Sequence, residues 1–426
     1  MSRRTVRRPL LATNQNQGRL ARRHKPDYIL IMLSTALLVV GLIIVYAISP
    51  GLSNQRNVGE NYFVSKQIMA IGIGVIAFLI TSLIPYTKWR LFLRPAIVLA
   101  TVATIVALIT PYSPEYPAHR WIRVGGFSLQ SVEVVKLAVI LGMSVFLEKR
   151  IQYGETSDIK KSLKPIIIAL IAIGAVVSIL QRDLGSMAVI VAIMTAMAFV
   201  AGLPLHRLAQ ISMVIALVLM VLILPFDYRR DRIATFLNPE RDCQNEGYQA
   251  CQALIAVGSG GLFGIGLQKS GQAYGYLPEA ASDSIFAITA ERFGFLGSAL
   301  LICLFMVFFA RLKYIVERAP DDFSRLIVVG LLAWLSTQTI INIGAMIGLL
   351  PLKGITLPFI SYGGTSVVFV MIAVGMAFNI SRYTSFAVNR NTGSVSSRGL
   401  ERRKNENSSD WRRNRRSYYT DISRSA

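Results

Sequence analysis

Long, uninterrupted apolar runs recur along this chain, and no other feature limits its fold so strongly. Stretches such as Tyr28 to Ile48 and Met187 to Ala201 carry almost no polar residue on any face. A helix of about 20 such residues matches the hydrocarbon thickness of a bilayer, whereas a surface helix of a soluble protein keeps a polar face. Ten spans are expected, at about 28–49, 63–84, 91–110, 129–147, 163–180, 185–202, 207–226, 285–310, 324–350 and 362–381. The fold class is therefore an all-α polytopic membrane protein, with residues 28–381 as its membrane domain and a long loop, 227–284, between the seventh and eighth spans. The first run is too long for an ordinary signal-peptide core and other spans follow it, so no cleavable leader is expected.

Charge gives the orientation. The net charge of +22 is concentrated at the two ends. Eight basic residues precede Tyr28 against the single acid Asp27, and eleven follow Ile380 against four acids. An even number of spans puts both ends on one side, where Lys88, Arg90, Lys149, Arg150, Lys160, Lys161, Lys164, Arg207, Arg311, Lys313 and Arg318 also fall. Basic residues flanking spans mark the cytoplasmic side. Residues 1–27 and 382–426 thus read as basic cytoplasmic tails, the second disordered, that can touch anionic lipid headgroups. Topology accounts for the charge, and nucleic acid is not an expected partner.

A second set of cations does not follow that tendency. Arg120, Arg123, Arg182, Arg229, Arg230, Arg232, Arg241, Lys269 and Lys353 lie on the opposite, extracytoplasmic side. Some could pair with Glu115, Asp231 or Asp242 in solvated loops, where such pairs are worth little. Cations gathered there also suit an anionic substrate, in particular a phosphate or pyrophosphate. Cys243 and Cys251 share the long loop, and one bridge between them is available if that loop is extracytoplasmic.

Polar residues inside the spans narrow the chemistry. Glu133 and Lys136 lie three apart on one face of the fourth span, where pairing lowers the desolvation cost of each. The bland reading is a structural pair near the headgroups, but an ionisable group in a span defaults to a functional hypothesis. Asp183, in the short connection before the sixth span, reads as a helix cap. Tyr248 to Gly261 reads as a short amphipathic helix ending in a glycine turn; without a preceding strand it is no nucleotide site. Glu291 and Arg292 point about 100° apart on the eighth span and imply an internal polar cavity. The stretch Gly348 to Ser366, after Asn342, has two prolines and four glycines at membrane depth, which is tolerable only where backbone lines a cavity or is buried in protein. Most informative is Leu277-Pro278-Glu279-Ala280-Ala281-Ser282-Asp283. There a carboxylate can stay wet enough to ionise yet face a desolvated cavity, as a general base requires, while Ser282 and Asp283 could equally cap the next helix.

These segments resemble the signature of the SEDS family, the bacterial FtsW, RodA and SpoVE proteins of cell-wall synthesis. The likeness spans nearly all ten segments. It rests on Arg120-Trp121-Ile122, the Gln130 to Lys136 stretch, Asp183-Leu184-Gly185, Arg232-Ile233 with Phe236-Leu237, Gly247-Tyr248-Gln249, Gly258-Ser259-Gly260-Gly261, Leu277-Pro278-Glu279 and Ser361-Tyr362-Gly363-Gly364. The resemblance implies a peptidoglycan glycosyltransferase that polymerises lipid II at the outer face of the bacterial cytoplasmic membrane, beside a class B penicillin-binding transpeptidase. The long basic tails and Leu-Pro-Glu-Ala are more similar to the division branch than to the elongation branch, which implies other division-machinery membrane proteins as partners and the septum as location. A lipid II flippase is the competing reading.

By the same resemblance Asp283 takes the place of the essential aspartate, Glu279 that of the Leu-Pro-Glu glutamate, and Glu133 with Lys136 that of the paired cavity charges. Arg120, Arg123, Gln249, Ser361 and Gly363 complete the expected substrate-binding set. No cofactor is assured, and a divalent cation, magnesium or manganese, is compatible with a pyrophosphate leaving group. Three positions depart from the family pattern. Ser131-Val132 stands where Pro-Ser is usual, Arg182 where Pro is usual, and Ser284 with Arg292 where Phe and a second Glu are common.

Overall fold

The computed structural model describes residues 22–110, 120–124, 127–204, 247–266, 275–352 and 354–384, with isolated residues between them. All of these fall in one unit, Met1–Ser385. The seventh expected span, 207–226, lies almost wholly outside the described residues, as do Arg229, Arg230, Arg232, Arg241, Lys269 and Lys353.

Helices build the structure. In chain order they are α1 (Tyr28–Gln55), α2 (Tyr62–Leu83), α3 (Leu93–Ile109), α4 (Ser131–Gln152), α5 (Lys164–Ala175), α6 (Leu184–Val200), α7 (Tyr248–Ser259), α8 (Ile285–Arg318), α9 (Asp322–Met346) and α10 (Gly364–Ile380). π-helical turns extend α5 at both ends into a rod over Ile159–Leu180. Five of these rods are long and apolar enough to cross a membrane, and α3, α6 and α10 are shorter apolar helices. All the expected spans except the seventh coincide with a helix, α7 being the amphipathic addition. Sheet is confined to two short antiparallel pairs among the described residues. One joins β1 (Arg22–Arg23) to β4 (Tyr383–Thr384), and the other joins β2 (Trp121–Val124) to β3 (Phe127–Gln130).

Packing follows from small residues and apolar faces. α2 lies along α10, α3 along α4, and α9 is central, touching α4, α6 and α8. Trp334, Phe286, Phe305, Phe308 and Phe323 fill the middle. The outer surface is apolar as well: Leu83, Leu91, Val98, Leu99, Leu300 and Met306 are all well exposed, as suits helices solvated by lipid.

Two departures from a simple bundle position the site. The first is α8, which breaks at Gly294 (φ 65°, ψ −165°). A break inside a membrane frees backbone groups that lipid cannot satisfy. The segment after α7 takes them up: Ile265 and Gly266 donate to the carbonyls of Glu291 and Arg292, while Phe295 and Leu296 donate to those of Gly261 and Leu262. The second is the non-helical connection from α9 to α10, which runs through the protein interior with Ile355, Leu357 and Phe359 to Ser361 buried.

At the far end, polar anchors tie the helix ends together. Asp27 caps α1 and pairs with Arg311 of α8 at 2.6 Å. Its amide donates to the Ser381 hydroxyl after α10. Tyr86 donates to Asp321, the capping-box residue of α9. Burial, reinforced by the Asp321 charge, pushes the Tyr86 phenol well above its usual range.

Candidate active site

The turn that carries Asp283 is built around Glu279. Glu279 adopts a left-handed φ of 50°, and its carbonyl accepts from the amides of Ser282 and Ser284, each at 3.1 Å. Its carboxylate accepts from the Ser282 hydroxyl. Ser284, buried, occupies the N-cap position of α8, but its hydroxyl donates to the Pro278 carbonyl at 3.0 Å instead of capping. Neither Ser282 nor Asp283 therefore stands at the cap, and the simple capping reading of Asp283 falls away.

The interior connection after α9 holds this turn from below. Asn342 Nδ2 donates to the carbonyls of Asp283 and Ile355, both at 2.7 Å. Ser361 Oγ accepts from the Leu357 amide at 2.7 Å and donates to the Ser282 carbonyl at 2.6 Å. The Tyr362 amide donates to the Ala281 carbonyl at 2.8 Å. Ser361 thus works as backbone glue, buried beneath Asp283. Gly363, at φ 177°, has an extended backbone open to any residue. Gln249 on α7 donates to the Ser284 hydroxyl at 3.2 Å and so braces the turn from the loop side.

Opposite Asp283 stands Arg120. A Cβ placed on Gly354 would lie 3.0 Å from Arg120 Nη2 and 3.0 Å from Asp283 Oδ2. The two charged groups face each other over this glycine, no farther apart than the sum of those distances. Arg120 also pairs with Asp183 at 3.4 Å. Arg123 lies on β2, opposite Ser128, and its side chain is outside the described set.

Gly354 also lines a small, mostly polar pocket with Gln130, Glu133, Lys136, Ser186, Gln338 and Thr356, closed by Val189 and Ile355. Lys136 is almost completely buried. It donates to Glu133 Oε1 at 2.8 Å and to Gln338 Oε1 at 3.0 Å, and sits 4.5 Å from the centroid of the Trp334 ring. Gln338 Oε1 also accepts from Trp334 Nε1 at 2.7 Å, and its Nε2 donates to the Thr356 carbonyl at 2.9 Å. A buried charge is tolerable when paired and hydrogen-bonded in this way. Sequence reasoning missed Gln338 and Gly354. The first was signalled only by an amide within an apolar span, and the second by nothing local.

Glu291 and Arg292 are buried elsewhere, near the Gly294 break. Arg292 donates to the Ala47 carbonyl of α1 at 2.9 Å, a partner on another span as expected, whereas Glu291 accepts from the loop amide of Gln272. Arg182 has a left-handed φ of 53°, which proline, fixed near −65°, cannot adopt; this departure reshapes the corner. Ser131 accepts from Gln181 Nε2 at 2.8 Å, a bond that proline there could not make.

Among the described residues no three His, Cys, Asp or Glu side chains come together. An all-protein cage for a divalent cation is thus not formed by them. Magnesium is commonly held by one or two carboxylates plus substrate phosphates, and Asp283 fits that kind of donor set. Cys243 and Cys251 are disulfide-bonded, with a Cα–Cα distance of 5.6 Å.

Residues 28–386 match the family model of the FtsW, RodA and SpoVE proteins, described as cell cycle proteins. Stage V sporulation protein E of Bacillus subtilis is 36% identical over 362 residues, covering 85% of this chain and 98% of its own length. A probable peptidoglycan glycosyltransferase FtsW of Coxiella burnetii is 34% identical over 362 residues, covering 84% and 96%. Among solved structures, a chain of a peptidoglycan synthase complex that coordinates polymerization and crosslinking superposes with a TM-score of 0.69 at 23% identity, covering 84% of this chain and 98% of that one. The rod shape determining protein RodA of Thermus thermophilus superposes at 0.61 and 22% identity, covering 84% and 97%. Its helices, its ordered motifs and these relatives together establish the chain as a polytopic integral membrane protein of the FtsW/RodA/SpoVE family.

Proposed function

We propose that this protein is a peptidoglycan glycosyltransferase that polymerises lipid II at the outer face of the cytoplasmic membrane. The observation that carries this reading is the meeting of Asp283 and Arg120 across Gly354, a glycine that also lines a small pocket with Glu133 and Lys136. Asp283 takes the proton from the acceptor sugar hydroxyl as that oxygen attacks the anomeric carbon of a second lipid II. The new C–O bond forms with inversion, the bond to the pyrophosphate oxygen breaks, and the electron pair leaves with polyprenyl pyrophosphate. Arg120, with Arg123 beside it in sequence, stabilises the growing negative charge on the leaving group, where a fixed cation in a dry site is most effective. Lys136, held by Glu133 and Gln338, adds its field from beneath. Glu279 and Gln249 support the turn that aims Asp283, and Ser361 and Gly363 carry the chain beneath it. A magnesium or manganese ion held by Asp283 would neutralise phosphate charge.

The FtsW relatives favour the division branch, with the septum as the working location and division-machinery membrane proteins as neighbours. The superposed synthase complex, in which polymerization is coordinated with crosslinking, favours a class B penicillin-binding transpeptidase as partner. Both termini face the cytoplasm and residues 227–284 face outward, an assignment supported by the basic loops and by the Cys243–Cys251 bridge.

General acid–base groups contribute about 10²–10⁴-fold to rate. Asp283→Asn should therefore lower polymerisation of purified lipid II in detergent by about that factor, with an unchanged melting temperature. A fully active variant would rule out Asp283 as the base. The interrupted connection between α9 and α10 also favours a flippase as second reading, since transporters bind substrate at such breaks. Detergent solution has no two compartments, so glycan strands formed there cannot come from transport alone.

A further inference from the structure

We propose that Asp183 is a positioning residue for the transfer site, one oxygen of its carboxylate capping α6 while the other holds Arg120 facing Asp283. This rests on the glycosyltransferase reading above and assigns a residue that otherwise passes for a helix cap.

The two oxygens have separate tasks. Oδ1 accepts from the Ser186 amide at 2.9 Å, the N-cap bond of α6. Oδ2 accepts from Ser186 Oγ at 2.8 Å and Gln130 Nε2 at 3.3 Å, and it pairs with Arg120 Nη1 at 3.4 Å. A neutral asparagine caps a helix as well as aspartate does. The charge adds to the cap only its attraction to the positive helix N-terminus, and its burial here, with the side chain 2% exposed, is sustained by the cation it faces.

Arg120 is held at its backbone and at its guanidinium tip. Nη1 faces Asp183 and lies 3.5 Å from a Cβ built on Gly354, while Nη2 lies 3.0 Å from that Cβ, as does Asp283 Oδ2. The Arg120 carbonyl accepts from the amide and hydroxyl of Ser131, the first residue of α4. Gln181, from the same corner as Asp183, donates to that Ser131 hydroxyl. The corner between α5 and α6, the start of α4 and Arg120 thus form one hydrogen-bonded unit. Its effect is to keep the guanidinium from swinging onto Asp283 and to hold it ready for an incoming phosphate, which is preorganisation in the ordinary sense.

The test is a double-mutant cycle on the full chain in detergent. Wild type, Asp183→Asn, Arg120→Ala and the double variant are compared for lipid II polymerisation and for affinity toward polyprenyl pyrophosphate. Misplacing a positioned group costs on the order of 10- to 100-fold. Asp183→Asn should lose about that much in kcat, melt lower because its NH2 group meets the donors of Ser186, Gln130 and Arg120 while the cap survives, and add no further loss of kcat once Arg120 is alanine. Pyrophosphate-lipid affinity should show the same non-additivity. Full activity in Asp183→Asn, or losses that multiply in the double variant, would overturn the proposal. If Asp183→Asn does not fold, Gln130→Ala, which removes a neutral donor from the same Oδ2, should show a smaller loss that again vanishes in the Arg120→Ala background; a loss that persists there overturns the proposal. A wild type that binds the pyrophosphate lipid yet makes no glycan would refute the glycosyltransferase reading, and the binding cycle would still decide the role of Asp183.

Discussion

A methyl group added at Gly354 would meet Arg120 Nη2 and Asp283 Oδ2 at 3.0 Å each, a separation at which one or both groups must shift by a few tenths of an ångström. No other strain arises there, because the backbone of Gly354 is not in the left-handed region. Gly354→Ala is thus a displacement of the reacting groups with the fold left intact. It should lower the polymerisation rate by about tenfold or more, equivalent to about 1.4 kcal/mol of barrier, with little change in melting temperature. An unaltered rate would mean that the facing of Arg120 and Asp283 is incidental. Asp283, Glu133 and Lys136 could be singled out from sequence because a charge next to or within an apolar run has few innocent explanations. Gly354 and Gln338 could not. One matters for what it lacks, and the other is an uncharged amide whose importance comes from touching both Lys136 and Thr356, residues far from it in the chain.

At the scale of elements, the interrupted α8 and the glycine-rich segment after α7 form one device. The sequence predicts a glycine turn after residue 259 and a continuous eighth span. The turn is there, and its purpose is to supply the backbone partners that the break at Gly294 needs. A pairing between two backbones leaves no side-chain signature beyond small residues, so no periodicity could have revealed it. The hairpin of β2 and β3 is as faintly marked, its one local signal being the dipeptide Gly125-Gly126 between two four-residue runs. Gly264 shows how closely the two segments approach. It has φ +80°, and a Cβ there would lie 2.1 Å from the Arg292 carbonyl oxygen. Left-handed strain costs a non-glycine residue about 1–2 kcal/mol, and overpacking typically adds about 1–3 kcal/mol. Gly264→Ala should therefore destabilise the protein by roughly 2–5 kcal/mol. Gly258, within α7, meets nothing within 4 Å, and Gly258→Ala should instead stabilise by up to about 1 kcal/mol. Melting curves of the two variants in the same detergent check both signs. Equal behaviour would mean that the pairing of this segment with α8 carries no stability.

At the scale of the whole molecule, parity links the described helices to the topology expected from sequence. β1 pairs with β4, Arg22 opposite Thr384 and Arg23 opposite Tyr383, so both ends of the described chain leave from the same end of the bundle. Nine apolar or charged rods, α1 to α6 and α8 to α10, lie between them among the described residues. An odd number of single crossings cannot return a chain to its starting side, and the sequence predicts one more span, 207–226, which lies almost wholly outside the described residues. Length and hydropathy made most of the spans legible. They could not show that Pro50 lies inside α1, which continues to Gln55, because a helix end depends on what the next turn packs against. The proposed orientation rests on charge, and the disulfide gives an independent handle on it, since such bonds persist on the oxidising side of a membrane. In a Cys303→Ser background, a membrane-impermeant maleimide should label reduced Cys243 and Cys251 from outside intact spheroplasts. A cysteine placed at Ser2 should react only after lysis. If the tenth crossing were absent, helices before and after residues 201–247 would carry opposite orientations relative to this scheme, and Ser2→Cys and the loop cysteines would be labelled from the same side. That result would overturn the span count and the outward placement of Asp283 together.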